Sequence, residues 1–93
     1  MKHAALWRVE IHKHALKRAR KMPEREQALL DKLLRDLRHY GPIQREWPNY
    51  SRLGSDAYHC HLSYKWVACW EVVDNTLRLM EIYYVGSRED APY

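Results

Sequence analysis

Residues Ala57 to Tyr93 constrain this chain more than any other stretch. They hold three runs rich in β-branched and aromatic residues, Ala57 to Ser63, Trp66 to Val73 and Thr76 to Val85, separated by the links Tyr64-Lys65 and Asp74-Asn75. Strand-forming runs broken by tight turns predict a three-stranded antiparallel meander. Side chains alternate along a strand, so Tyr58, Cys60 and Leu62 share one face while His59, His61 and Ser63 share the other. Elements packed on this sheet cover one face; the apolar set is expected to meet them, leaving both histidines on the open side. The third run is apolar on both parities (Leu77, Leu79, Tyr83, Val85 and Met80, Ile82, Tyr84), which predicts an interior strand and leaves its faces unassigned.

The residues before the meander supply what covers it. Trp7 to Ile11 alternates apolar and charged residues, the pattern of a half-buried strand. From His12 to Met22, Ala15, Leu16, Ala19 and Met22 recur at helical spacing, with Lys13, Lys17, Arg18, Arg20 and Lys21 on the remaining surface. Pro23 is expected to end that helix at Met22 and to open a second one as its first residue. Up to Tyr40, the stripe Leu30, Leu33, Leu34, Leu37 and Tyr40 marks its buried side, and Gly41-Pro42 closes it. A helix pair with one apolar face must cover a sheet. Ile43 to Asp56 reads as a loop leading into a short strand at Arg52-Leu53.

A chain of 93 residues encloses one modest core, so residues 1–93 are expected to form a single domain. Cys60 and Cys69 fall inside predicted strands and read as reduced residues of a cytoplasmic protein. The N-terminal segment has no apolar run long enough for a signal peptide or a membrane span. Charge is unevenly distributed: residues 1–22 carry seven Lys or Arg, Lys2 among them, against the single acid Glu10. Such a segment suits a polyanion or an acidic protein partner, and equally a solvated helix face.

His59-x-His61, with Cys69 on the adjacent strand, has little of the usual metal-ligand spacing, and no metal or cofactor is expected. Acid–base chemistry fits better. Histidine changes charge near neutral pH and can exchange protons on an open sheet face. Lys65 and Arg88 lie near the ends of strands that can be neighbours, where cations can hold a phosphate and stabilise charge developing on it. Tyr93 can stack on a base or move a proton.

The order strand, helix pair, meander, together with Tyr58-His-Cys-His-Leu, Tyr64-Lys65-Trp-Val-Ala-Cys-Trp-Glu-Val and Tyr84-Val-Gly-Ser-Arg-Glu, resembles the RelE/HigB group of the RelE/ParE superfamily, toxins of type II toxin–antitoxin modules. The resemblance covers nearly the whole chain and is most specific from Tyr58 to Tyr93. It implies an α+β fold: an N-terminal strand, a two-helix hairpin, then three or four antiparallel strands packed on the helices. It also implies a ribosome-dependent mRNA endoribonuclease that cuts in the A site by metal-independent attack of the ribose 2′-hydroxyl on the adjacent phosphate. By position, His59 or His61 would be the general base, Lys65 would contact the phosphate, Arg88 would stabilise the transition state, and Tyr93 would stack or protonate the leaving group. His59, His61 and Lys65 stand where RelE itself carries lysines and an arginine. The partners implied are a cognate antitoxin, the ribosome with its mRNA, and operator DNA only through the antitoxin complex. Lys13, Lys17, Arg18, Arg20 and Lys21 would face ribosomal RNA or the antitoxin. The alternative is a ParE-like inhibitor of DNA gyrase without nuclease activity, or a non-toxic domain whose basic surface docks an acidic protein.

Overall fold

A computed structural model describes residues 6–93; Lys2, counted above in the basic segment, lies outside the described residues. The strand β1 (Arg8–Ile11) leads into α1 (Lys13–Ala19) and α2 (Glu24–Tyr40), followed by β2 (Ser51–Arg52), β3 (Ala57–His61), β4 (Trp66–Asp74), β5 (Leu79–Ser87) and a 3-10 turn over Arg88–Asp90. The five strands form one sheet in the order β1-β5-β4-β3-β2. The expected α+β architecture is present, with one change: β1 adds to the meander in parallel, pairing Val9 with Met80 and Ile11 with Ile82. The parallel pairing follows from the helices, which return the chain to the same end of the sheet before it turns into the meander.

Several boundaries differ from the sequence expectation. The first helix is shorter, because Lys21 and Met22 donate back three residues to Arg18 and Ala19 and tighten its end. Pro23 takes the cap position of α2 rather than its first turn, with Glu24 and Glu26 behind it at the positive end of the helix dipole. Gln27 Nε2 donates to the carbonyls of Met22 (2.8 Å) and Arg20 (3.2 Å), tying the two helices together. Tyr40 is 77% exposed, outside the α2 stripe, which ends at Leu37. Gly41 then turns the chain at φ 89°, a left-handed conformation that disfavours any side chain; a Cβ there would also meet Trp7 Nε1 at 3.1 Å.

The short second strand is Ser51–Arg52, one residue earlier than expected, and pairs with His59 and Tyr58. The loop before it is less open than its composition suggests. Trp47 is buried and donates through Nε1 to Asp36 Oδ2 at 2.9 Å, while Gln44 Nε2 reaches the Gly41 carbonyl at 2.8 Å. Between β4 and β5 the turn is longer than Asp74-Asn75 and ends on Arg78 at φ 53°, so β5 begins only at Leu79.

The helices cover one face of the sheet. Ala15, Ala19, Met22, Leu30, Leu33 and Leu37 share a core with Tyr58, Cys60, Leu62, Ala68, Trp70, Met80, Ile82 and Val85. The two parities of β5 now resolve. Cys69 pairs with Tyr84 but Trp70 pairs with Ile82, so Tyr83 is an extra residue in the strand. That bulge shifts the alternation: Met80 and Ile82 before it and Val85 after it all reach the helix side, while Tyr83 and Tyr84 pack with Val67 and Cys69 in a second, smaller cluster. As expected, β5 is an interior strand, flanked by β1 and β4. Cys60 and Cys69 are free and buried, one in each cluster. Among the described residues, no helix is long and apolar enough to cross a membrane.

Candidate active site at the end of the sheet

The face turned away from the helices gathers the histidine pair. His59 and His61 are two residues apart on β3, and their rings lie edge to face with centroids 5.8 Å apart. Opposite them on β4 stand Cys69 and Val67. The expectation that both histidines lie open holds for only one. His59 is 7% exposed: Tyr93 lies across its ring at a centroid distance of 4.4 Å, and Ser51 Oγ lies 2.9 Å from its Nδ1. Ser51 arrives because β2 pairs it directly with His59, and Tyr93 arrives because the 3-10 turn folds the chain back beside β3. His61 keeps partial exposure.

Their electrostatics follow from these positions. Burial, then the charge of His61, hold the His59 imidazole below its ordinary value, with a hydrogen bond to the Ser51 backbone acting the other way. Burial, then the Arg88 guanidinium, likewise lower His61. A histidine so placed is neutral at pH 7 and can accept a proton. Tyr93 is moved the opposite way, chiefly by burial, so its phenol stays protonated.

Arg88 is exposed and held at two points. Its N–H donates to the Lys65 carbonyl at 2.8 Å, and its guanidinium sits 4.7 Å from the Tyr64 ring centroid. The β3–β4 turn thereby docks on the start of the 3-10 turn, placing Lys65 beside Arg88 through backbone, with its side chain exposed. Of the five expected residues, His59, His61, Arg88 and Tyr93 meet through rings and charge, and Lys65 adjoins them through the main chain.

Two supporting residues escaped the sequence reading. Tyr64 looked like a turn residue, yet an exposed aromatic beside a cation pair is itself a stacking signal. Ser51 gave no such signal, because its role depends on register. A third feature is inert: Cys69, with Tyr83 against it, has its thiol pushed up to about 12 by burial, too high to act as a nucleophile near neutrality. No group of three or more His, Cys, Asp or Glu side chains among the described residues is arranged to hold a metal ion.

Lys13, Lys17, Arg18, Arg20 and Lys21 are all exposed. Arg18 and Lys21 reach the end of β5, where Arg18 lies 5.3 Å from the Tyr84 ring centroid. A cleft of about 730 Å³ lies elsewhere, between α2 and the loop through Arg45 and Trp47, and none of His59, His61, Lys65, Arg88 and Tyr93 lines it.

This arrangement of sheet and helices matches solved toxin structures. RelE of an archaeal RelE–RelB complex from Pyrococcus horikoshii superposes with a TM-score of 0.73 at 21% identity, covering 91% of this chain and 98% of the other. The chain has the RelE fold. A doubly arginine-substituted RelE from E. coli in the free state gives 0.73 at 22% identity, over 92% of this chain and 87% of that one. The YoeB dimer from Staphylococcus aureus gives 0.70 at 12% identity, over 91% and 99%. No family model and no curated protein matches the sequence itself. The RelE likeness thus rests on backbone arrangement, with side chains largely replaced.

Proposed function

We propose that this chain is the toxin of a toxin–antitoxin module and an endoribonuclease that cuts mRNA on the ribosome, in the cytoplasm, with a cognate antitoxin as its protein partner. One observation carries this reading: a neutral-favoured histidine, a guanidinium fixed by a ring and a backbone carbonyl, and a protonated tyrosine meet at one end of a sheet whose opposite face is fully occupied by core. The RelE fold adds support, as do its structural neighbours, which are RelE and YoeB toxins; the P. horikoshii structure is a complex with RelB.

The roles divide by exposure and charge. His61 is the general base, since it is the accessible imidazole and is held neutral. It takes the proton of the ribose 2′-hydroxyl, whose oxygen forms a bond to the adjacent phosphorus as the bond to the 5′-oxygen breaks. Arg88, with Lys65 beside it, stabilises the charge that builds on the phosphoryl oxygens. Tyr93 supplies a proton to the departing 5′-oxygen, and the products are a 2′,3′-cyclic phosphate and a 5′-hydroxyl. His59 is a positioning residue: pinned by Ser51 and Tyr93, it holds the tyrosine over the site. No step calls for a metal or cofactor. Operator DNA would be met only through the antitoxin complex, and the exposed cations of α1 serve ribosomal RNA or the antitoxin.

Primer extension on a defined mRNA, with and without programmed ribosomes, tests the reading. Cuts at the A-site codon in the ribosome sample alone are expected. No cut in either sample would overturn it and favour gyrase inhibition or simple docking.

A further inference from the structure

The residues after β5 cross the open face of the sheet as a short strap, anchored firmly at one end and lightly at the other. At the firm end, Ser87 Oγ accepts from the Glu89 N–H at 3.1 Å, and the Ser87 carbonyl accepts from the Tyr84 hydroxyl at 2.6 Å. The Arg88 N–H adds its bond to the Lys65 carbonyl. Residues 91–93 make a single backbone–backbone bond, from the Ala91 N–H back to the Arg88 carbonyl at 3.3 Å. Pro92 has no N–H to donate. Packing does the rest: Ala91 lies against the cluster of Val67, Cys69 and Tyr84, and the Tyr93 ring, 54% exposed, rests on His59.

What the strap covers is a group that can gain a charge. Around His59 stand Ser51 on β2, Cys69 opposite it on β4, His61 two residues along β3 and the Tyr93 ring. None of these neighbours brings a side-chain carboxylate. The nearest charged side chain on another element is Arg88, whose guanidinium already depresses His61. A neutral imidazole fits this enclosure, whereas an imidazolium would be a buried cation without a side-chain counter-ion, beside a second histidine.

The least costly relief is local. Lifting residues 91–93 breaks one long backbone bond and one ring contact and lets water reach His59, whereas displacing β3 breaks its ladders to β2 and β4. We propose that residues 91–93 are a proton-sensitive strap, closed with Tyr93 on His59 while that imidazole is neutral and lifted when it takes up a proton. Linkage is reciprocal: a closed strap lowers the affinity of His59 for a proton, so a bound proton disfavours closure by the same factor. Opening therefore sets in below the ordinary 6.5, as pH falls through the depressed value of His59. In the open form Tyr93, the proposed proton donor to the 5′-oxygen, is withdrawn from His61 and Arg88. That consequence rests on the nuclease reading; the strap itself does not.

NMR of the isotope-labelled protein between about pH 8 and about pH 5, where histidine changes charge, tests the strap without cleavage. The His59 imidazole and the Tyr93 ring are followed together, with the Trp70 indole N–H reporting on the core. Cross-peaks between the two rings are expected to disappear with the midpoint of the His59 titration while the Trp70 signal stays in place. Tyr93→Ala is expected to raise the His59 pKa toward its ordinary value. His59→Phe keeps a ring under Tyr93 and cannot be charged, so its strap should stay closed in acid, the Trp70 signal verifying the fold. His61→Gln should leave the transition present and move it to higher pH. Ring contacts that persist through the His59 titration, or a His59 pKa unmoved by Tyr93→Ala, would overturn the strap. So would a Trp70 signal lost in step with the ring contacts, which assigns the transition to the whole fold. Ribosome-bound mRNA supplies the second arm. A strap that lifts in a protein that never cuts would sink the nuclease reading alone, and cleavage by a protein whose strap stays closed in acid would sink the strap alone.

Discussion

On the helix side of the sheet, Trp70 is fully buried, stacks with Tyr58 and Tyr50 at centroid distances of 6.1 and 6.4 Å, and donates its indole N–H to the Pro42 carbonyl at 3.0 Å. On the opposite side, His61 and Arg88 remain accessible and are held by a few polar and ring contacts. The first face fills space with apolar surface, and no buried side-chain polar atom among the described residues lacks a partner. The second carries a smaller buried cluster of Val67, Cys69 and Tyr84 beside its accessible groups, and Tyr93 covers His59. One sheet can do both because alternation sends adjacent residues of β3 and β4 to opposite faces, so stability and chemistry are written on alternate positions of the same strands.

Substitutions that respect this division are expected to separate folding from activity. Trp70→Ala removes a large buried side chain and orphans a carbonyl partner, and should cost about 3–5 kcal/mol in thermal or denaturant unfolding. His61→Ala should lower the single-turnover cleavage rate by roughly 10²–10⁴-fold, the usual contribution of a general base, while changing stability by no more than about 0.5 kcal/mol. An effect on unfolding as large as that of Trp70→Ala would break the distinction between the faces. Tyr64→Ala removes the ring under an exposed Arg88, a contact worth about 0.5–1 kcal/mol, and should slow cleavage a few-fold with melting unchanged.

Proton linkage sharpens the same contrast. Because the lowered pKa of His61 lies below the ordinary 6.5, kcat/KM should fall only when pH drops below that value, through the folded pKa, and should stay level through neutrality. The alkaline limb waits for Tyr93, whose pKa lies above the ordinary 10.0. His59 adds a stability component of the same sign. Its folded pKa is depressed, so the unfolded chain binds more protons; the contribution is complete above about 6.5 and is lost as pH falls through the folded value. His59→Ala should flatten that acid slope in urea melts, whereas a slope unchanged by the substitution would assign it elsewhere.

The sequence carried the parts of this structure that depend on local period. The stripe Leu30, Leu33 and Leu37 marks α2, and the alternation of Tyr58, Cys60 and Leu62 marks the helix-facing side of β3. Features that depend on register were not readable. The parallel pairing of β1 with β5 joins residues some seventy positions apart, such as Val9 and Met80. The bulge at Tyr83 appears only when β4 and β5 are aligned. For the candidate site, the residue types at His59, His61, Lys65, Arg88 and Tyr93 were legible, but their unequal exposure was not. The burial of His59 requires Ser51 from one side and Tyr93 from the other, and neither contact has a local signature.

The proposed function assigns the chemistry to His61 and Arg88 and leaves the rest of the fold to support them. Single-turnover cleavage of an end-labelled mRNA on programmed ribosomes, comparing the unaltered protein with His61→Ala and Arg88→Ala and resolving the product ends, tests it directly. The expected result is a 2′,3′-cyclic phosphate and a 5′-hydroxyl from the unaltered protein, with each variant slowed by about 10²-fold or more while still folded. Cleavage by both variants at the unaltered rate would contradict it.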